Sequence, residues 1–413
     1  MADDATNLDV AVVGAGWAGI GVSQSLKAAG LSHCVYEKSR ICETWRSQRW
    51  ASFRMNTPNA LTVLPGDSYG GDDPEGYMSC EDFIEMVAGY ARRHRLPVRE
   101  GVEVLCLRPH GEAFELESSA GRAIARSVVV ATGNLNVPRR PEAASRLPPA
   151  VKQIDGSEYY DAAGLPPGAI LVIGCGNSGG QIAEDLALAG RRVYLSTGRN
   201  GRVPRTHRGR DIFLWLTDTG RMAKPRSSGA GRGRIGATHT ISLQSLSALG
   251  IVLLGRLEDV DPEGVLTFAD SLDDSAAHGD RMSEEVRAEI DAYIERKGLQ
   301  VPPAVPDEAE TVARRFPEPP ILRLDLAAAG ITTVIWSTGF TGDFRWLQVP
   351  GAVAEDGRPN QSRCLSVPGV YFAGLDTQES LRAGTVLAVE EECERIVGHI
   401  LANRGSPSGV KPS

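Results

Sequence analysis

Several features that would assign this chain to a broad function class are missing from its sequence. No apolar run reaches the ~20 residues that a membrane-spanning helix needs, and no basic stretch precedes an apolar one at the N-terminus. Acidic residues outnumber basic ones by 52 to 44, and the net charge of −8 disfavours nucleic acid and anionic membranes as partners. The seven histidines show no metal-ligand spacing. We expect a cytoplasmic protein with no metal ion and no membrane or nucleic acid partner.

Cysteine is present, but without a pattern. The seven cysteines are scattered along the chain, and no C-x-x-C motif occurs. Scattered single cysteines suit a reducing compartment. Because dithiol–disulfide chemistry needs a redox-active cysteine pair, the missing motif argues against a disulfide reductase.

Two glycine-rich turns are the most informative feature that the sequence does contain. Each one joins a short apolar strand to an amphipathic helix, and they read Gly14-Ala15-Gly16-Trp17-Ala18-Gly19 and Gly174-Cys175-Gly176-Asn177-Ser178-Gly179. In such a turn the first glycine allows the tight bend, the second lets the backbone approach a pyrophosphate, and the third lets helix and strand pack closely. The chain of 413 residues is long enough for two nucleotide-binding domains. We therefore predict that it binds two dinucleotides.

The strand that follows each turn ends differently. Glu37 closes the strand after the first turn, where a carboxylate can bind the hydroxyl groups of a ribose. The strand after the second turn ends on Ser196, Thr197 and Arg199 with no acidic residue, which favours a ribose 2′-phosphate and hence NADPH. The alternative is that Arg199 is a solvated loop charge.

Between and beyond these units the pattern is weaker. The segment 199–234 is rich in arginine, and we interpret most of it as a solvated insertion, with Arg199 and Arg205 as the exceptions that could contact phosphate. Phe213 and Trp215 in this insertion either line a substrate entrance or pack the insertion itself. The later periodicity predicts helices over 283–297 and 383–402.

These motifs, taken together, resemble one family, the class B flavin-dependent monooxygenases. It includes flavin-containing monooxygenases, plant indole-3-pyruvate monooxygenases and Baeyer–Villiger enzymes, and the likeness is greatest to bacterial flavoproteins of the CzcO type. The resemblance extends from Val10 to about Leu401. Besides the two turns and Glu37, it rests on Thr44-Trp45-Arg46, Asn56-Thr57-Pro58, Ala131-Thr132-Gly133, Arg208-Gly209-Arg210-Asp211-Ile212-Phe213 and Ser337-Thr338-Gly339-Phe340.

The resemblance implies FAD at the first turn and NADPH at the second. It also implies that Trp45 and Arg46 lie along the flavin and that Asn56 is the catalytic residue, near the reactive edge of the flavin; the alternative is that Asn56 caps the turn before Pro58. The expected cofactor-binding residues are Gly14, Gly16, Trp17, Ala18, Gly19, Glu37, Lys38, Trp45, Arg46, Val104, Ala131, Thr132, Gly133, Gly174, Gly176, Asn177, Ser178, Gly179, Ser196, Thr197, Arg199, Thr338 and Gly339.

The same resemblance implies the reaction. NADPH reduces FAD, O₂ adds at flavin C4a, and one oxygen atom passes to a small organic substrate. The chain departs from the family at Asp155, where a histidine is usual, and at Cys42-Glu43, where two glycines are usual. Two alternatives remain open: an NADPH oxidase or electron-transfer reductase that transfers no oxygen, and a sensor without catalysis.

The implied fold class is α/β, with two Rossmann-like dinucleotide-binding domains and the NADPH domain inserted into the FAD domain. We expect the FAD domain in residues 1–160 and 326–405, and the NADPH domain in residues 165–325 with an arginine- and glycine-rich insertion at about 200–240. Residues 406–413 are expected to form a flexible tail, and the protein is a possible homodimer.

Overall fold

The computed structural model of the protein describes residues 6–226 and 233–403. The expected tail at 406–413 and residues 227–232 of the insertion lie outside the described residues. Two sheets dominate the described part, one wholly parallel and one parallel with an antiparallel arm, in agreement with the predicted α/β class. Within these ranges no helix is both long and apolar enough to cross a lipid bilayer.

The strands are short, as is usual where both faces of a parallel sheet are covered. In chain order they are β1 (Thr6–Val13), β2 (His33–Glu37), β3 (Val98–Glu100), β4 (Val104–His110), β5 (Ala113–Ser118), β6 (Gly121–Val130), β7 (Val137–Pro138), β8 (Lys152–Asp155), β9 (Ala169–Ile173), β10 (Val193–Ser196), β11 (Thr206–His207), β12 (Arg210–Asp211), β13 (Val252–Leu254), β14 (Leu257–Val260), β15 (Val265–Phe268), β16 (Arg323–Asp325), β17 (Ile331–Trp336), β18 (Phe340–Thr341) and β19 (Val370–Phe372).

Helices cover the sheets and form the insertion. They are α1 (Trp17–Ala28), α2 (Glu43–Ser47), α3 (Cys80–Arg93), α4 (Asn177–Leu188), α5 (Ile212–Asp218), α6 (Leu243–Ala248), α7 (Leu272–Lys297), α8 (Glu308–Thr311) and α9 (Val389–Asn403). Ser79 caps α3, because its hydroxyl accepts the Asp82 N–H and the Asp82 carboxylate accepts the Ser79 N–H.

The first sheet has the order β3-β2-β1-β6-β5-β4, and β19 pairs with the C-terminal half of β6. The strands β3, β2, β1, β6 and β19 run parallel, while β5 and β4 form an antiparallel arm. Because parallel strands end at one edge, this order brings the residues after β1, β2, β6 and β19 together. We call this sheet with its covering helices the first unit.

The second sheet has the order β13-β10-β9-β17-β8, with every pair parallel. We call it, with α4 and the insertion, the second unit. Residues 152–155 and 331–336 therefore belong to the second sheet, although the predicted boundaries at 160 and 326 put them in the first domain. The reason is structural: β17 must lie beside β9 so that Ser337 can pack behind the second glycine turn.

Two helices differ from their predicted bounds. The helix α7 begins at Leu272, eleven residues before the predicted start at 283, because Ser275, Ala276, Gly279 and Ser283 form its buried face there and carry little apolar signal. The helix α9 begins at Val389, not at 383, because residues 386–388 form a short 3₁₀ turn ahead of it. In its final position α9 packs on α1.

Candidate dinucleotide sites and the contact between them

The first glycine turn has the backbone that its sequence predicts. Gly14 adopts a φ of +102°, and a Cβ there would lie 2.6 Å from the carbonyl oxygen of Ala131. A side chain on Gly19 would overlap the Gly14 carbonyl, whereas no atom lies within 4 Å of a Cβ built on Gly16. The helix α1 starts here without a side-chain cap, so its first N–H groups face the open space beside Gly16. We call this space the first cradle, and its geometry fits a pyrophosphate.

The second turn repeats the first almost residue for residue. Gly174 has a φ of +101°, and a Cβ there would overlap the Ser337 carbonyl. Gly179 packs against the Gly174 carbonyl, and the space beside Gly176 is open to 4 Å. Asn177 begins α4, and no side chain caps that helix. This second cradle therefore fits a second pyrophosphate for the same physical reason.

Glu37 lies at the edge of the first cradle. Its carboxylate accepts the N–H of Ala15 at 2.9 Å and the N–H of Ser39 at 2.9 Å. A carboxylate has further lone pairs, so Glu37 can brace the turn and still accept hydroxyl groups of a ribose. Lys38 beside it is exposed, and together with Arg345 it holds the pKa of Asp343 down, the Arg345 hydrogen bond being the larger cause.

Three further residues predicted to bind the flavin nucleotide take different positions. Trp45 stacks at a tilt on Phe83, with ring centroids 4.5 Å apart, and carries the Arg49 guanidinium over its face. Arg46 is exposed and donates from Nε to the Ile41 carbonyl at 3.1 Å. Val104 is buried in the core of the first unit, where it packs as an ordinary core residue.

The Thr-Gly segments follow β6 and β17, one behind each turn. The Thr132 hydroxyl is buried and has no hydrogen-bond partner among the described residues, and Gly133 after it has a φ of +73°. An orphaned hydroxyl behind the first cradle fits a site that is completed by a polar ligand. In the second segment the Thr338 hydroxyl donates to the Arg139 carbonyl, and Gly339 has a φ of +98°.

The hydroxyls at the end of β10 have partners within the protein. Ser196 and Thr197 are buried, and their hydroxyls donate at 2.9 Å to the carbonyls of Gly255 and Leu254. These bonds tie the end of β10 to the end of β13 and the residue after it, and the phosphate contact of the two hydroxyls stays a prediction. Arg199 is exposed; after burial, Arg199 and Arg281 lower the pKa of His278.

The insertion also differs from the solvated segment that its composition predicts. Arg202, Arg205 and Arg234 each keep only 2% of their surface exposed. Such burial requires partners: Arg202 pairs with Asp280 at 2.8 Å, Arg205 pairs with Asp211, and Arg234 donates to carbonyl oxygens.

For Trp215 the structure decides between the two roles left open, lining a substrate entrance or packing the insertion. It is buried, and its indole N–H donates to the His207 carbonyl at 2.8 Å. It packs the insertion, while Phe213 lies half-buried beside the Arg205 guanidinium, 5.4 Å from ring centroid to Cζ.

Asp155, which replaces a usual histidine, pairs with Arg140 at 2.7 Å.

Asn56 lies between the two units. Its side-chain oxygen accepts a hydrogen bond of 3.0 Å from Gln181 on α4, and its backbone carbonyl accepts one of 2.8 Å from Arg205. The residue predicted to work beside the flavin is therefore held by the helix of the second turn. Neither Gln181 nor Arg205 was predicted to contact it.

No site residue was predicted at a third strand end. Gly374, after β19, has a φ of +71°, and a Cβ there would lie 2.5 Å from the Ala18 Cβ at the start of α1. Its N–H donates at 2.7 Å to Glu392, whose pKa is raised by burial to about 7. Asp376 follows, tied by its backbone to Asn134 at 2.9 Å. The signal was present as strand, small residue, glycine and acid in Phe372-Ala373-Gly374-Leu375-Asp376.

The structure contains a cleft of about 180 Å³ that is lined mainly by apolar residues. It lies between the turn that follows Asn56, the insertion and the approach to α9, and its lining includes Leu61, Leu64, Met222, Val386, Leu387 and Arg382. A cleft of this size admits only a small molecule or part of one.

Comparison with known proteins agrees with this geometry. Residues 11–216 match the family model described as pyridine nucleotide-disulphide oxidoreductase. Over 397 residues the chain is 29% identical to an uncharacterized oxidoreductase, CzcO-like, of Geobacillus kaustophilus (strain HTA426), covering 95% of this chain and 98% of that protein.

Solved structures share the fold. A flavin-containing monooxygenase from Stenotrophomonas maltophilia is similar with a TM-score of 0.68 at 17% identity, covering 96% of this chain and 99% of that one. The bacillithiol disulfide reductase Bdr (YpdA) from Bacillus cereus is similar with a TM-score of 0.62 at 16% identity, covering 97% and 100%. The fold is thus common to two chemistries, and the residues of the site must distinguish them.

Proposed function

Because the chain is a class B flavin monooxygenase-like protein, we propose that it is an FAD- and NADPH-dependent monooxygenase. It would transfer one oxygen atom of O₂ to a small organic substrate. The observation that carries the proposal is the contact between Asn56 and Gln181, since it joins the segment expected beside the flavin to the helix of the second cradle.

The first cradle suits FAD. The uncapped N-terminus of α1 presents N–H groups and a positive dipole to the pyrophosphate. Glu37 would accept the ribose hydroxyls, and the unpartnered hydroxyl of Thr132 would bond to the bound nucleotide. Trp45, which stacks on Phe83 of α3, would form the wall of the FAD site on that side.

The second cradle suits NADPH. Its N–H groups at the start of α4 would bind the pyrophosphate. Arg199 is exposed at the end of β10 and would pair with the 2′-phosphate, because a guanidinium binds phosphate through two parallel hydrogen bonds. No carboxylate occurs at this strand end, so nothing there favours NADH.

When bound, FAD supplies the redox chemistry, taking a hydride from NADPH and activating O₂. The protein would supply position and exclude water. Asn56 offers an amide N–H₂ at the junction of the two units, and the cleft lined by residues of the turn that follows it would hold the substrate.

The thiols favour this reading over disulfide reduction. Burial raises the pKa of six of the seven cysteines, and it raises that of Cys42, whose N–H bonds to Ala15 in the first turn, to about 12. Such a thiol stays protonated at neutral pH, whereas disulfide exchange needs the thiolate.

A stopped-flow experiment tests the proposal. The purified protein, loaded with FAD, is reduced anaerobically with NADPH or NADH and then mixed with O₂, with and without NADP⁺. We expect faster reduction by NADPH, and a delayed return of the oxidised flavin spectrum when NADP⁺ is present. The accompanying assay compares NADPH consumed with H₂O₂ released.

Each alternative outcome has its own meaning. Immediate reoxidation with one H₂O₂ per NADPH would indicate an oxidase or electron-transfer reductase. FAD binding without reduction by either nucleotide would indicate a sensor. Sedimentation of the same sample tests the predicted homodimer.

A further inference from the structure

Asn56 is held at two points, and both holders come from the second unit. Gln181 donates from Nε2 to the side-chain oxygen of Asn56 at 3.0 Å, and Arg205 donates from Nη1 to its backbone carbonyl at 2.8 Å. Gln181 keeps 7% of its surface exposed and Arg205 keeps 2%. Both donors are thus part of the packed interior, and neither can swing freely into solvent.

Arg205 is itself rigidly placed. It pairs with Asp211, donates to the Ala237 carbonyl at 3.2 Å, and lies over the Tyr77 ring at 4.6 Å. The Tyr77 hydroxyl donates to Asp211 at 2.7 Å, and burial raises the pKa of that hydroxyl, so that it remains a donor at neutral pH. The backbone of Asn56 is therefore anchored to a closed network, and only its side-chain amide is left to be oriented.

Gln181 decides that orientation. With the amide oxygen of Asn56 bound to Gln181, the amide nitrogen points away from α4, because the two atoms diverge from one carbon. Among the described residues no group accepts a hydrogen bond from this nitrogen. Asn56 consequently presents its N–H₂ donors to its surroundings, while its oxygen is turned towards α4.

We propose that Gln181 is a positioning residue, which turns the Asn56 amide so that its N–H₂ group faces the junction of the two bound nucleotides. Because Gln181 lies on α4, whose N-terminus forms the second cradle, nucleotide binding there and the orientation of Asn56 are coupled. The inference rests on the proposed function, in which this N–H₂ group serves the oxygen reaction.

Two substitutions of one residue test it. In Gln181→Glu the carboxylate can only accept, so Asn56 must turn its nitrogen inward and present its oxygen outward. Protonating the new carboxyl restores a donor and with it the original orientation. In Gln181→Met the donor is lost at every pH without a change of charge. Glu184→Gln, one turn further along α4 and bonded to His239 at the surface, is the matched control.

The measurement is the reoxidation rate of the reduced holoprotein by O₂ with NADP⁺ present, followed from about pH 8 to about pH 5. We expect Gln181→Glu to reoxidise roughly tenfold faster than the parent at high pH and to approach it at low pH. Gln181→Met should be fast throughout, and Glu184→Gln should match the parent. The charged groups around the site, Arg205 with Asp211 and Arg234 behind Gly180, are common to all variants.

Two results would overturn the inference: a Gln181→Met protein indistinguishable from the parent, or a Gln181→Glu protein altered only at low pH, which would mean that Gln181 accepts from Asn56. If the parent itself shows no NADP⁺-dependent delay, it is the proposed function that fails. The coupling is then judged from NADP⁺ dissociation constants for Asn56→Ala, Gln181→Met and the double variant. If the double variant changes the NADP⁺ dissociation constant by the product of the two single effects, the coupling is refuted. A deviation from that product of about threefold or more supports it.

Discussion

The two glycine turns share one backbone but are braced by opposite charges. In the first turn the N–H of Ala15 donates to the Glu37 carboxylate at 2.9 Å; in the second the carbonyl of Cys175, at the equivalent position, accepts from the Arg234 guanidinium at 3.1 Å. A carboxylate beside the first cradle suits neutral ribose hydroxyls, and a buried guanidinium behind the second adds positive potential for a nucleotide with one more phosphate. The comparison shows that one backbone turn can be braced by a side chain of either charge.

The largest expected effect tests what the two turns have in common. Gly14→Ala and Gly174→Ala force a side chain into a φ near +100° and against a carbonyl oxygen, so each should lower the free energy of unfolding by more than about 4 kcal/mol. The measurement is denaturant unfolding of the apoprotein. Gly16→Ala and Gly176→Ala are the matched controls, since their Cβ atoms meet open space.

The controls also separate the two sites. Gly16→Ala should fold normally and bind FAD weakly, whereas Gly176→Ala should retain FAD and bind NADP⁺ weakly. A Gly14→Ala protein as stable as the parent would contradict the argument that both turns require glycine at this positive φ.

The second prediction breaks the brace of the second turn. Arg234→Met leaves the carbonyls of Cys175 and Ile241 buried and unpaired, which should cost about 3 kcal/mol of folding free energy and weaken NADP⁺ binding more than FAD binding. Calorimetric unfolding and nucleotide titration measure the two effects. Arg192→Met, at an exposed arginine in the same unit, should change stability by less than about 0.5 kcal/mol. Equal loss of FAD and NADP⁺ binding in Arg234→Met would refute the assignment to one turn.

The third prediction concerns a buried carboxylate that braces the third strand end of the first unit. Because burial raises the pKa of Glu392 to about 7, the folded state holds a proton that the unfolded chain releases near pH 4.5. Stability contributed by this group is therefore present below about pH 4.5 and is lost as the pH rises through 7.

Glu392→Gln keeps an acceptor for the Gly374 N–H and removes the charge. Above pH 7 it should stabilise the protein by on the order of 2 kcal/mol, and the difference from the parent should shrink towards pH 5. Urea unfolding across this range checks the slope. A pH-independent difference would show that Glu392 ionises normally. Glu391→Gln, at the half-exposed carboxylate next to it, is the control.

The smallest effect concerns nucleotide choice at the second cradle. Arg199→Ser should raise the dissociation constant of NADPH about tenfold, which is ~1.4 kcal/mol, and leave NADH unchanged. Thr197→Val removes a hydroxyl that bonds to the Leu254 carbonyl; it should cost about 1 kcal/mol of stability without altering the ratio of the two affinities. Titration of each variant with NADPH and NADH measures the ratio of the two dissociation constants. A changed ratio in Thr197→Val would show that this hydroxyl contacts the 2′-phosphate.

The features that the sequence predicts well are those set by residues that lie close together along the chain. The two turns, their strands and helices, and the α/β class were all predicted correctly, since a glycine turn between an apolar strand and a helix is defined within about 30 residues. Glu37 could be singled out because its distance from the turn is set by one helix and one strand. The roles assigned to the site residues, that of Glu37 included, remain predictions.

The errors came from partners that are distant in sequence. Composition described the insertion as solvated, yet Arg202 meets Asp280 and Arg234 meets Cys175 across 78 and 59 residues. Ser196 and Thr197 were judged by residue type, and their hydrogen bonds to carbonyl groups 57 to 59 residues later could not be foreseen. Gln181 lies 125 residues from Asn56, and no spacing along the chain relates them.

By itself, then, the sequence determined that this protein has two glycine-turn cradles, because positive φ angles and the absence of a side chain are properties of glycine at single positions. Only the tertiary structure decided which charge braces each cradle, which arginines are buried, and which way the Asn56 amide is turned. Hydrogen bonds of about 3 Å depend on the meeting of chain segments far apart, and that meeting is a property of the fold as a whole.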